Sequence, residues 1–196
     1  MIKKYSALSK GKLIVVDIQP EYQKNIDFSI EDFVEYLKTK NNVLYLYNGE
    51  SLGMSSETEL TYWLLENGLE EENLNQIEFI DKGYAFFRAW MDTGIDDSVI
   101  LKTLRHMVDN DLTDSRDIPE EDWGTFLSEE EIDELNSHGF IDGDPLIVPD
   151  ISEEVLHRFQ GAELVGGHRE ECLKEVKIWF AFHKMKLVEN DEFIYG

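Results

Sequence analysis

Three polar side chains of this chain come just after short apolar runs. Asp17 closes KLIVV, Lys82 follows IEFID, and Cys172 comes six residues after the first glycine of AELVGG. A carboxylate, an ammonium and a thiol are the parts of an activated nucleophile: the ammonium favours the thiolate, and the carboxylate accepts a proton and later returns it. Gly166-Gly167 lets the backbone turn tightly from a strand into a helix, which puts Cys172 in the opening turns of that helix. Backbone N–H groups and the helix dipole there favour a thiolate and can also hold an oxyanion. Each residue has a plainer reading as well. Cys172 shares a helix stripe with Val176, Trp179, Phe180 and His183, which suits a small buried side chain. Asp17 suits a turn cap, and Lys82 a solvated residue beyond a strand.

The elements that must position these groups follow from hydrophobic pattern. Lys12–Val16 is short, β-branched and without alternation, as expected of a strand buried on both faces. Ser29 with Asp32 three residues on opens a helix carrying Ile30, Phe33, Val34 and Leu37. Val43–Tyr47 is a second strand, Asn48-Gly49 a turn, and Ser56 with Glu59 caps a helix that Gly68 closes. Ile77–Ile80 is a third strand. This β-α-β-α-β order predicts right-handed crossovers and a parallel sheet flanked by helices, with ligands bound beyond the carboxyl ends of the strands. From Tyr84 to Pro145 the rhythm breaks, with helices expected near 97–108 and from Ser128 to about Gly139. The alternation resumes with a strand at Leu146–Val148, a helix capped by Ser152, a strand at Ala162–Val165, a helix from about Arg169 to Met185 and a last strand near Glu192–Tyr195. One domain over 1–196, with a mostly helical insertion around 84–145, is the expected organisation.

Composition narrows the partners. With 42 acidic against 18 basic residues and a net charge of −24, the chain's field repels nucleic acid and anionic membranes. The same field attracts a basic protein partner. Apolar residues at 42% are enough for a packed core, so the acidity does not imply disorder. The only apolar run near the amino terminus is four residues long and ends at Asp17, too short for a membrane span or a signal peptide. A single cysteine allows no intramolecular disulfide, which points to a reducing, cytoplasmic setting. The five histidines show no H-x-H or H-E-x-x-H spacing, so no metal centre is expected from them.

The segment LIVVDIQ, with Asp17 and Gln19, resembles the opening strand of isochorismatase-like cysteine hydrolases. DKGYAFF, with Lys82, Ala85 and Phe86, resembles the place where that family carries its catalytic lysine, and GAELVGGHREECLKEV resembles the strand, glycine turn and helix that deliver its cysteine. The three arrive in the family's order. The resemblance implies a three-layer α/β/α fold with a mainly parallel sheet, a homo-oligomer, and a small-molecule substrate whose amide-like C–N bond is hydrolysed through a thioester. In that scheme Cys172 attacks, Asp17 shuttles the proton, Lys82 holds the charges in place, and no cofactor is needed. The oxyanion would rest on the amides of Cys172 and a residue near His168. Gln19, His168 and Arg169 are expected beside the substrate. His168 and Arg169 stand where the family has small residues, so they either crowd the oxyanion hole or meet an anionic substrate. NGESLGMSSETE lacks the histidines of the metal-binding nicotinamidase branch, which disfavours that activity.

Two other readings compete. One is a non-catalytic acidic module that binds a basic protein. The other is a metal-dependent nuclease or phosphatase in which Asp17 joins Glu50, Asp81 or Asp92 on Mg²⁺. The second is weakened because Gln19 stands where a D-x-D motif needs its second aspartate.

Overall fold

The computed structural model describes residues 11–49, 53–82, 87–141 and 143–196. Contacts divide the chain into two compact units, one made of 1–84 with 152–196 and the other of 85–151. The first holds all five strands: β1 (Lys12–Val16), β2 (Asn42–Tyr47), β3 (Ile77–Asp81), β4 (Glu163–Gly166) and β5 (Val188–Ile194). They form one sheet in the order β3-β2-β1-β4-β5, parallel throughout, with a register shift between β4 and β5. The order reverses between β1 and β4. At such a switch point the flanking connections diverge and leave a crevice beyond the strand ends.

The helices of this unit are α1 (Ile30–Leu37), α2 (Glu57–Glu66), the short α3 (Glu71–Leu74), α8 (Glu153–Arg158) and α9 (Cys172–Phe182); α4 to α7 belong to the other unit and are given below. Helix α1 begins where Ser29 Oγ accepts the Asp32 N–H, and α2 begins with a reciprocal capping box of Ser56 and Glu59. Each such cap stabilises its helix by about 1 kcal/mol. Leu13, Val15, Val43, Tyr45 and Val165 point to one face of the sheet and pack with Phe33, Val34 and Leu37 of α1 and Leu60 and Leu64 of α2. Fully burying a side chain such as Phe33 contributes roughly 1.5–3 kcal/mol, so this layer fixes the register of β1 and β2. The alternate residues Ile14, Val16, Leu44, Leu46 and Leu164 are equally buried on the opposite face, and α9 packs against β4.

The 85–151 unit contains α4 (Arg88–Asp92), α5 (Asp97–Asp109), α6 (Trp123–Phe126) and α7 (Glu129–Ser137). Its expected strand at Leu146–Val148 does not form. Ile147 makes an isolated antiparallel bridge to Asp114, because Pro145 and Pro149 flank the three residues and remove the donors a longer ladder would need. The short α3, α4 and α6 were not legible, each being too brief to show a helical period. The helix expected from Arg169 starts later, at Cys172, after a turn in which Glu171 N–H bonds His168 O.

Candidate active site

Asp17 is the residue after β1. Its N–H donates to Leu46 O at 2.9 Å, which extends the β1–β2 ladder by one bond, and its φ of +56° then turns the chain sharply away. A non-glycine residue in this left-handed region costs roughly 1–2 kcal/mol, and aspartate is among the residues that tolerate it best. The turn drives the side chain inward, and Asp17 is completely buried. Lys82 is placed in the same way, with its N–H donating to Tyr47 O at 2.8 Å just past β3. Its Nζ lies 2.6 Å from Asp17 Oδ2, with side chains 2% and 0% exposed. The other carboxylate oxygen, Asp17 Oδ1, is buried and has no hydrogen-bond partner among the described residues.

An isolated buried charge is too costly to persist, so this pair is stable only as a pair. Burial alone would push Lys82 toward its neutral form. The Asp17 carboxylate, with Cys172 and Glu175 nearby, outweighs that and holds the lysine pKa above its ordinary value. The ammonium is therefore a fixed positive charge at neutral pH.

The glycine turn lies between Asp17 and Cys172. Gly166 has φ +118°, and a Cβ there would lie 1.9 Å from Val16 O, so only glycine lets β4 run this close to β1. Gly167 N–H donates to Val16 O at 2.8 Å. A Cβ on Gly167 would be 3.2 Å from Cys172 Cβ, 3.4 Å from Tyr195 Oη and 3.5 Å from Asp17 Cβ. The nucleophile candidate, the carboxylate and a phenol thus surround one glycine. Cys172 is half-buried and is the first residue of α9, whereas Leu173, Val176 and Phe180 of the same helix are in the core. It sits where the first-turn amides and the helix dipole act most strongly.

Three residues join this site that the sequence did not single out. Glu175, one turn beyond Cys172 on α9, is fully buried and is one of the charges that lift the Lys82 pKa. A glutamate within an otherwise apolar helix stripe was the available signal. Tyr195 Oη donates to Asp17 O at 2.6 Å, which ties the chain just past β5 to the turn after β1; burial, Asp17 and Cys172 all raise its pKa. Tyr22 is half-buried, accepts from Asn48 Nδ2 at 2.9 Å, and has its pKa raised by burial and by Asp17. Neither tyrosine carried a motif.

The residues expected beside a substrate are placed differently from one another. Gln19 is fully buried: its Nε2 donates to Asn48 O at 3.0 Å and Glu21 Oε2 at 2.9 Å, and its Oε1 accepts from Asn48 N–H at 2.9 Å. Both amide hydrogens are engaged in clamping the β1 loop to the end of β2. Arg169 donates to Glu189 and, at 2.7 Å, to Asp191 Oδ1. His168 has a side chain 44% exposed, with its ring against Gly196. Of the acids considered for a metal site, Asp81 Oδ1 accepts from Gly49 N–H at 3.0 Å and Asp92 pairs with Arg88 in the other unit. Glu50, together with Ala85 and Phe86 of the lysine motif, lies outside the described residues. Among the described residues no three His, Cys, Asp or Glu side chains converge as a metal site. No helix of the described residues is long and apolar enough to cross a membrane.

The strand ends thus hold a buried carboxylate with one unengaged oxygen, a lysine paired to it, and a partly buried cysteine across Gly167. Comparison of the chain with protein-family models, curated proteins and solved structures finds no match.

Proposed function

We propose that the chain is an isochorismatase-like cysteine hydrolase that cleaves an amide-like C–N bond of a small molecule. The observation that supports this reading most is the fully buried Asp17–Lys82 pair at 2.6 Å, with Asp17 Oδ1 unengaged and the partly buried Cys172 on the other side of Gly167. A buried ion pair adds little net stability compared with apolar packing, so its presence beside a nucleophile points to chemistry.

In this mechanism the Cys172 proton passes to Asp17 Oδ1 as the sulfur attacks the carbonyl carbon. The oxyanion of the tetrahedral intermediate is held by amides at the start of α9. The C–N bond breaks, the leaving nitrogen takes the proton from Asp17, and an acyl thioester remains on Cys172. Water then adds to the thioester with Asp17 as its base, the C–S bond breaks, and the thiol is restored as the carboxylic acid leaves. Lys82 keeps the Asp17 carboxylate oriented and offsets the charge that passes through the site. No cofactor enters these steps. His168, half exposed at the mouth of the turn, is the residue best placed to touch the acyl or amine part of the substrate.

Acylation by p-nitrophenyl acetate, followed by intact mass spectrometry, tests the proposal. The native protein should form an acyl adduct mapping to Cys172, and Asp17→Asn should slow both its formation and its hydrolysis. A native protein that stays unmodified at Cys172, while the urea-unfolded chain is acylated there, would sink the proposal.

A further inference from the structure

The 85–151 unit carries a cavity of about 390 Å³ that shares no residue with the strand-end site. That volume lies within the range of small-molecule sites. Its walls combine apolar surface from Ile118, Ile132, Ile141 and the indole of Trp123 with polar groups from Arg116, Glu120 and Asn136. Ile118 and Trp123 are 6% and 3% exposed, so a ligand can cover little of them, and the apolar surface left open is that of the partly buried Ile132 and Ile141.

The charges in the cavity are not balanced. Arg116 is the only cation lining it, and its Nε and Nη2 are both taken by Asp114, at 2.5 Å in the shorter bond. The Asp114 carboxylate therefore offsets the Arg116 charge. Glu120 has no hydrogen-bond or ion-pair partner among the described residues, and neither has the Asn136 side chain. The uncompensated charge facing the cavity is negative, and the net charge of −24 strengthens attraction for cations.

We infer that this cavity binds a small organic amine: an ammonium met by Glu120 and the Asn136 carbonyl, with a small apolar body against Ile132 and Ile141. Gly124 provides the control. A Cβ there would meet nothing within 4 Å, and the residue also lines the cavity, so a larger side chain can fill the space without disturbing its neighbours.

Isothermal titration of the full chain with 2-phenylethylammonium and with 3-phenylpropionate, which share an apolar body and differ in charge, tests the inference. Saturable binding of the ammonium at a preference of about fivefold or more over the carboxylate is expected, as an exposed ion pair provides. Gly124→Leu should abolish binding, Glu120→Lys should reverse the preference, and Cys172→Ala should leave binding unchanged. Because Glu120 is exposed, Glu120→Lys keeps the test valid even if Gly124→Leu fails to fold. No saturable binding, equal binding of the carboxylate, or undiminished binding by folded Gly124→Leu would overturn the inference.

Discussion

The sheet-bearing unit buries charged side chains beside its surface ion pairs, whereas the 85–151 unit, among the described residues, buries none. In the first, Asp17, Lys82 and Glu175 are buried, and Lys40 at 3% exposure pairs with Glu163 at 2.6 Å. In the second, the ion pairs Arg88–Asp92, Lys102–Glu131 and Arg116–Asp114 all lie where water reaches at least one partner, as in Lys102 at 46% side-chain exposure. Surface pairs of that kind arise readily on an acidic helical unit and have little structural consequence. Buried ones survive only where the backbone positions both partners, which is what the strand ends of β1 and β3 do.

The two units also differ in how their glycines are used, and this gives the largest expected effect. Gly166→Ala would put a Cβ 1.9 Å from Val16 O at φ +118°, and should cost about 5 kcal/mol or more in urea unfolding or prevent folding. Gly124→Ala, on helix α6 with open space around it, should instead raise stability by about 0.5–1 kcal/mol. Equal responses at the two positions would erase the contrast.

Next in size, Lys82→Met strands the Asp17 carboxylate without its cation and should lower stability by about 3–5 kcal/mol at neutral pH. The double variant Lys82→Met with Asp17→Leu should recover much of that loss, because no buried charge is then left unpaired. Lys102→Met removes a surface pair and should change stability by about 0.2–1 kcal/mol only.

The pH dependence of these pairs follows from the direction of each shift. Lys82 is held above its ordinary pKa, so the folded protein binds that proton more tightly than the unfolded chain does. Its contribution is complete below the unfolded lysine value and is lost as pH rises through the folded one, in the alkaline range. Glu163 shifts the other way: burial opposes its charge, but Lys40 and Tyr36 hydrogen bonds hold its pKa below normal. Its contribution is present above the unfolded glutamate value and is lost as pH falls through the folded one. As pH rises through the folded Lys82 value the urea midpoints of the wild type and Lys82→Met should therefore approach each other, and as pH falls through the folded Glu163 value so should those of the wild type and Lys40→Met.

Much of the sheet was legible because buried parallel strands leave continuous apolar runs: KLIVV, VLYLY and IEFI each became a strand within a residue of the expected bounds. The caps at Ser29, Ser56, Ser128 and Ser152 were equally legible, because a hydroxyl accepting an N–H three residues on is a local interaction. Leu146–Val148 misled because its apolar run outweighed the two flanking prolines. Reading the strand ends singled out Asp17, Lys82 and Cys172 but neither Glu175 nor Tyr195. Tyr195 reaches Asp17 from the other end of the chain, a contact that no local pattern encodes.

The most direct test of the central claim is the alkylation rate of Cys172 by iodoacetamide at neutral pH, in the native and in the urea-unfolded chain. The account predicts that the native thiol reacts faster than the unfolded one, and that Lys82→Met removes most of the advantage. A native thiol that reacts more slowly than the unfolded one, with no response to Lys82→Met, would contradict it.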